Sequence, residues 1–139
     1  MPRILAIDYG SKRVGLAVTD PLQIIANGLT TVHSKDVIKF LEDYFKKEVV
    51  ECIVVGEPKT LRNEPSDSAR FIEPFVKHLR NKFPTMKIER YDERFTTAMA
   101  HQAMLAGGLK KKARQNKETV DMVSATIILQ SYMEYIKQL

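Results

Sequence analysis

The first twenty residues contain two short aliphatic runs separated by a polar turn. Residues 4–7 and 14–18 form the runs, and the turn between them includes Gly10 and the basic pair Lys12 and Arg13. Two apolar runs joined by a glycine-containing turn are typical of a β-hairpin. The pattern therefore predicts that the chain opens with two antiparallel strands.

Asp8 follows the first aliphatic run directly. A carboxylate is out of place there as a core residue, because burying an unpaired charge is very costly. Two explanations are open. Asp8 either serves the turn, as aspartates at strand ends commonly do, or faces a site where a cation or a proton-transfer partner compensates its charge.

Downstream of the hairpin, the apolar positions predict alternating helices and strands. Short all-apolar strands of this kind lie inside a sheet that is covered on both faces. The predicted elements are, in order, a strand over 29–33, a helix over 36–47 capped by Ser34, a strand over 52–56, a loop over 57–65, a helix from Ser66 or Asp67 to Lys82, a strand over 87–91, a helix capped by Thr96 or Thr97 that ends at Gly107 and Gly108, and a last helix from Thr119 towards Gln138.

This order predicts an α/β fold with a mixed five-stranded sheet flanked by helices. The hairpin supplies antiparallel pairing, and right-handed crossovers add parallel strands. Sites in such sheets collect at the carboxyl ends of the strands. If the first, fourth and fifth strands are parallel neighbours, Asp8, Glu57 and the pair Asp92 and Glu93 meet at one edge.

A further acid, Asp121, is predicted near the start of the last helix. The helix dipole alone would favour an acid in a first turn, by about 0.3–1 kcal/mol. This helix is apolar around much of its circumference, however, and Ser124 and Ala125 would allow its start to approach the sheet closely. Asp121 would then face the same sheet end as Asp8 and Glu93.

Three converging carboxylates repel one another unless a positive charge lies between them. Cysteine and histidine do not cluster in this sequence, so the hard oxygen donors favour Mg²⁺ or Mn²⁺. Two such ions would activate a water and stabilise the leaving oxygen in phosphodiester hydrolysis. Asp8, Glu93 and Asp121 are therefore the candidate catalytic and metal-binding residues.

Composition fits one soluble domain over residues 1–139 and a cytoplasmic location. No apolar stretch approaches the roughly 18–20 residues of a membrane helix, and the N-terminus does not read as a signal peptide. The single cysteine, Cys52, lies in an apolar run and is expected in the core.

The formal net charge is +5, and a basic protein of this size often binds a polyanion such as nucleic acid. Five basic residues cluster between the last two predicted helices, where a solvated loop is the alternative interpretation. Arg94 either contacts substrate phosphate or pairs with a carboxylate. The candidate substrate-binding residues are Lys12, Arg13, Arg94, Lys110, Lys111, Lys112, Arg114 and Lys117.

Four segments, residues 7–10, 55–58, 92–97 and 120–125, together resemble the YqgF family in the family's own order. The block over 92–97, Asp-Glu-Arg-Phe-Thr-Thr, is the most specific. The resemblance implies a ribonuclease-H-like fold, with Asp8, Glu93 and Asp121 matching the acidic site. It also implies cytoplasmic processing of the 5′ end of the 16S ribosomal RNA precursor.

The chain departs from that family at Glu57, where relatives commonly carry a hydrophobic residue. Glu57 is then either a further site acid or an exposed loop acid, and the acidic trio is unaffected. Two other functions remain open: a resolvase of branched DNA, which needs a homodimer for paired cuts, and a non-catalytic ribosome-assembly module. A sugar-kinase-like nucleotide-binding domain is disfavoured, since 139 residues cannot supply its second lobe.

Overall fold

The computed structural model describes residues 2–10, 12–57, 69–92 and 117–137. Within these ranges the chain forms five strands and three helices. They are β1 (Arg3–Tyr9), β2 (Arg13–Thr19), β3 (Ala26–His33), α1 (Val37–Lys47), β4 (Val50–Glu57), α2 (Ala69–Lys82), β5 (Lys87–Asp92) and α3 (Lys117–Lys137).

The strands form one mixed five-stranded sheet in the order β3-β2-β1-β4-β5. β1 and β2 pair antiparallel, as do β2 and β3, whereas β4 pairs parallel with both β1 and β5. The predicted hairpin and the parallel arrangement of the first, fourth and fifth strands are confirmed. The carboxyl ends of these three parallel strands therefore lie at one edge of the sheet.

Hydrophobic side chains cover both faces of the central strands. Leu5 and Ile7 of β1 pack on one face with side chains from α1 and α2, such as Leu41 and Leu79. Ile4 and Ala6, which alternate with them, pack on the other face against α3 through Ala125, Ile128 and Leu129. A strand buried on both faces reads as a continuous apolar run, which explains residues 4–7.

Several predicted boundaries are wrong, among them the start of β4, which is Val50 and not Cys52. Helix α1 begins at Val37 with Asp36 as its N-cap, not Ser34, because a turn closed by the Asp36 N–H and the His33 carbonyl precedes it (2.9 Å). β3 begins at Ala26, three residues before the predicted start, since it pairs along the whole of β2. Glu57 ends β4 opposite Asp92 instead of opening a loop.

Other elements follow their patterns more closely. Phe75 and Leu79 are buried as expected, and α2 ends at Lys82, two residues before Pro84. Cys52 is buried at the start of β4, and burial raises the pKa of its thiol. The predicted start of α2, the loop over 58–65 and the helix after Thr96 lie outside the described residues.

Among the helices that the structure describes, none is both long and apolar enough to cross a membrane.

Thr19 is the last residue of β2 and joins β2 to the start of β1 through its side chain. Its side chain is fully buried, and its hydroxyl oxygen accepts a hydrogen bond from the Ile4 backbone N–H (2.9 Å). Thr19→Val keeps the shape but leaves that N–H without a partner, so we expect a loss of about 1–3 kcal/mol in the free energy of unfolding. Urea denaturation followed by circular dichroism measures it.

Thr126→Val is the matched control. The Thr126 hydroxyl donates to the Met122 carbonyl within α3 (2.9 Å), a back-bond that contributes little to helix stability. The control should lose at most about 0.5 kcal/mol. Equal losses in the two variants would contradict the role assigned to Thr19.

Candidate active site

The start of α3 lies in backbone contact with β2 at Gly15. A Cβ built on Gly15 would lie 2.1 Å from the Asp121 carbonyl oxygen and 2.4 Å from its carbonyl carbon. Any side chain larger than hydrogen would therefore push the helix off the sheet. A second contact, at Gly28 of β3, is softer, because a Cβ there would meet the flexible side chain of Met122 at 2.8 Å.

This contact brings Asp121 close to Asp8. Asp8 lies directly opposite Gly15 in the β1–β2 ladder. It shares the α3 face with Ala6, two residues earlier, which packs against α3. Opposite Cβ positions are about 4.5–5.5 Å apart, and the Asp121 Cβ lies 3.1 Å from the ideal Gly15 Cβ, so the two aspartate Cβ atoms are within about 8–9 Å.

Arg13 supplies a positive charge at this position. Its Nε donates a hydrogen bond to Asp121 Oδ2 at 2.7 Å, and the two side chains are 39% and 21% exposed. The backbone of Arg13 is held by the hairpin, where its carbonyl accepts the Gly10 N–H (2.9 Å), and by pairing with His33 of β3. These backbone contacts fix the start of β2, and from there the Arg13 guanidinium reaches Asp121.

The helix dipole does not account for Asp121. It is the fifth residue of α3, in the second turn, and the effect of the dipole falls off within the first turn. The close approach of helix and sheet, predicted from Ser124 and Ala125, is confirmed: both are buried. Asp121 therefore lies at the meeting point of α3 and the hairpin, with Arg13 as its ion-pair partner.

The structure brings together Asp8, Arg13 and Asp121, with Lys12 exposed in the adjoining turn. The remaining predicted site residues lie outside the described part of the chain or at its border. Glu93, Arg94, Lys110, Lys111, Lys112 and Arg114 lie outside the described residues, and Lys117 is described only as the first residue of α3. β5 ends at Asp92, beside Glu57, at the carboxyl edge of the sheet.

The two described acids suit a hard divalent cation. Among the described residues, no group of three or more histidine, cysteine or acidic side chains is placed to hold a metal ion. Mg²⁺, however, is commonly bound by one or two carboxylates, with waters and substrate phosphates completing its shell. Asp8 and Asp121 meet that requirement in donor type and number.

Sequence reasoning missed the contact between Arg13 and Asp121. The sequence predicts Arg13, like Lys12, only as a substrate contact. One signal for the pairing was present: Arg13 and Gly15 are two residues apart in a strand, so they lie on the same face as Asp8. The partner of Arg13 is 108 residues away in the chain, however, and its position depends on the packing of α3.

A family model described as "RuvX: Holliday junction resolvase" matches residues 2–135. Among curated relatives, one from Flavobacterium psychrophilum is 61% identical over 133 residues, covering 96% of this chain and 97% of that protein. Another, from Phocaeicola vulgatus, is 62% identical over 134 residues, covering 96% of each. Both carry the name "Putative pre-16S rRNA nuclease".

Solved structures with the same fold include T. thermophilus RuvC in complex with a Holliday junction substrate. It has a TM-score of 0.61 at 15% identity, covering 99% of this chain and 96% of that one. The fowlpox virus resolvase, solved with Holliday junction DNA, has a TM-score of 0.58 at 11% identity, covering 96% and 98%. The predicted ribonuclease-H-like fold is confirmed.

Gly15→Ala tests the contact on which this site depends. The added Cβ would collide with the Asp121 backbone, which cannot turn aside as a side chain can. We expect the free energy of unfolding to fall by about 2–3 kcal/mol or more, as for overpacked cores.

Gly28→Ala is the control at the neighbouring contact, where the Met122 side chain can move. It should cost about 1 kcal/mol or less, near the lower end of the overpacking range. Chemical denaturation of both variants gives the comparison. If Gly28→Ala cost as much as Gly15→Ala, the backbone contact at Gly15 would not be the critical one.

Proposed function

The chain belongs to the RuvX (YqgF) family, and we propose that it is a divalent-metal-dependent nuclease that cleaves the 16S ribosomal RNA precursor. Nuclease activity is common to the family description and to the names of the relatives, which makes the chain a hydrolase of phosphodiester bonds. The observation that carries the proposal is the placement of Asp8 and Asp121 on one face of the sheet, at the carboxyl end of β1.

We propose that Asp8 and Asp121, with Glu93 as the third acid, hold Mg²⁺ or Mn²⁺. When bound, such ions activate a water nucleophile and stabilise the leaving oxygen of the scissile phosphodiester. Asp8 contributes from a strand and Asp121 from a helix whose backbone rests on Gly15. Rigid elements of this kind hold ligands in place more closely than loops do.

The precursor of 16S rRNA is the substrate we favour over a DNA junction. Relatives that are 61% and 62% identical to this chain carry the RNA name, whereas the likeness to the two junction resolvases, at 15% and 11% identity, concerns the fold. A junction resolvase is the second candidate, supported by the description of the family model. Processing of the RNA precursor would place the protein in the cytoplasm.

We propose that the basic residues bind the substrate backbone and add affinity without taking part in the chemistry. Lys12 is exposed in the hairpin turn next to the acidic site, where a phosphate could reach it. Arg94 and the five basic residues from Lys110 to Lys117 remain predictions of the same kind. Phosphate contacts position a nucleic acid without reading its sequence.

Asp8→Asn tests the proposal. The substitution keeps the shape of the side chain and removes a ligand charge, so the fold should persist while turnover falls by at least about 100-fold, which corresponds to about 2.7 kcal/mol in the barrier. The assay incubates purified protein with labelled 16S precursor RNA, and separately with a four-way DNA junction, in Mg²⁺, Mn²⁺ or EDTA.

Asp43→Asn is the control, because it removes an exposed carboxylate from α1 that pairs with Lys39 (3.3 Å). It should cleave at the native rate. The acidic metal site would be refuted if Asp8→Asn cleaved at the native rate. It would also be refuted if the native protein still cleaved its substrate in EDTA. Cleavage of the junction without cleavage of the RNA would favour the second candidate.

A further inference from the structure

The position of Asp121 is fixed without help from Arg13. Its backbone carbonyl lies against Gly15, where there is no room for a Cβ. The following residues anchor α3 to the sheet: Ser124 is 2% exposed and Ala125 is fully buried. Loss of the Arg13 side chain would leave these contacts intact, so the ion pair is not what holds the helix in place.

The contribution of Arg13 is therefore its charge. The guanidinium of Arg13 is a cation with five N–H donors, and it presents its positive charge to Asp121. The contact with Asp121 uses Nε, one of five N–H donors, and the Arg13 side chain is 39% exposed. An ion pair this exposed to water is weak, so a divalent cation that binds Asp121 more strongly can displace Arg13.

A divalent cation bound by Asp8 and Asp121 would meet Arg13 as a like charge. The guanidinium already contacts Asp121 Oδ2 at 2.7 Å, and that oxygen is one of the expected ligand atoms. Two cations at one carboxylate oxygen repel each other at short range, and the effect is larger where water is partly excluded. Occupation of Asp121 by Arg13 and by the metal ion is therefore competitive.

We propose that Arg13 is an exchangeable counter-ion of the acidic site. It neutralises Asp121 while no divalent cation is bound, and it leaves Asp121 when one binds. The released guanidinium, on a strand start beside the exposed turn, then binds a substrate phosphate, for which its fork of donors is suited. This inference rests on the proposed function, because it needs Asp8 and Asp121 to be metal ligands.

The test measures Mn²⁺ affinity by electron paramagnetic resonance in the absence of nucleic acid. Arg13→Gln removes the competing charge, so Mn²⁺ should bind about two- to five-fold more tightly, the range that a partly exposed ion pair supports. Lys39→Gln removes the same charge from an exposed position of α1, on the face of the sheet opposite α3, and should leave the affinity near the native value. If Arg13→Gln does not fold, as checked by thermal melting, Arg13→Met, which keeps the aliphatic stem, takes its place.

Binding of labelled 16S precursor RNA gives a second readout. In EDTA, Arg13→Gln should bind the RNA only slightly less tightly than the native protein, because Asp121 occupies the guanidinium of the native protein and its loss exposes one carboxylate. The difference should widen when a divalent cation is present. In Ca²⁺, another oxygen-seeking divalent cation, the native protein should bind more tightly than the variant. An equal deficit of the variant in EDTA and in Ca²⁺ would mean that Arg13 reaches phosphate without leaving Asp121, which overturns the exchange.

The outcomes separate this inference from the proposed function. Weaker or unchanged Mn²⁺ binding in Arg13→Gln, with binding lost in Asp8→Asn and Asp121→Asn, would overturn the exchange and leave the metal site standing. Native Mn²⁺ affinity in both aspartate variants would overturn the metal site itself. Tighter binding in Arg13→Gln together with loss in both aspartate variants supports both proposals.

Discussion

The contact between the α3 backbone and Gly15 is the constraint on which the site depends. A helix carries its side chains outward to a diameter of about 10–12 Å, and these side chains normally keep its backbone away from a sheet. Here the absence of a Cβ at Gly15 lets the Asp121 carbonyl occupy the space of a side chain. The small residues Ala6, Ala17 and Ala125 continue the close approach along the same face. The Cβ atoms of Asp121 and Asp8 can therefore lie within about 8–9 Å of each other.

Closeness of the two carboxylates creates an electrostatic cost that the fold has to offset. Asp8 is half-buried and Asp121 is 21% exposed, so water screens their repulsion only in part. The ion pair with Arg13 reduces that cost. The hairpin thus provides both residues: β1 carries Asp8, and the first residue of β2, Arg13, is the cation that faces Asp121.

Local patterns were sufficient to predict the sheet, but not the contacts across it. The apolar runs at 4–7, 14–18 and 52–56 defined the hairpin and the parallel strands, because burial on both faces leaves a continuous hydrophobic signature. Ser34 and Asp36 are both residue types that begin helices, but the Ser34 backbone N–H donates to the Lys12 carbonyl (3.0 Å) and so extends the strand pairing instead of starting α1. In the sequence, Gly15 is one more residue of the apolar run 14–18. Its contact with Asp121 cannot be predicted from that run, because it depends on packing between distant segments. The placement of Glu93 and of the basic cluster from Lys110 to Lys117 remains a prediction, since these residues lie outside the described ranges.

The overall charge of the chain bears on how the proposed site at Asp8 and Asp121 would meet a nucleic acid. Lysine and arginine number 22 against 17 acidic residues, so the protein as a whole attracts a polyanion. If Asp8 and Asp121 form the reaction centre as proposed, two uncompensated carboxylates there would repel the phosphate that comes closest to it. With Arg13, or a divalent ion as proposed, next to Asp121, the phosphate backbone of a nucleic acid would meet little net negative charge at Asp121. A net positive charge and an acidic reaction centre at this position are compatible for this reason, and the ion pair of Arg13 with Asp121 is the compensation that the structure shows.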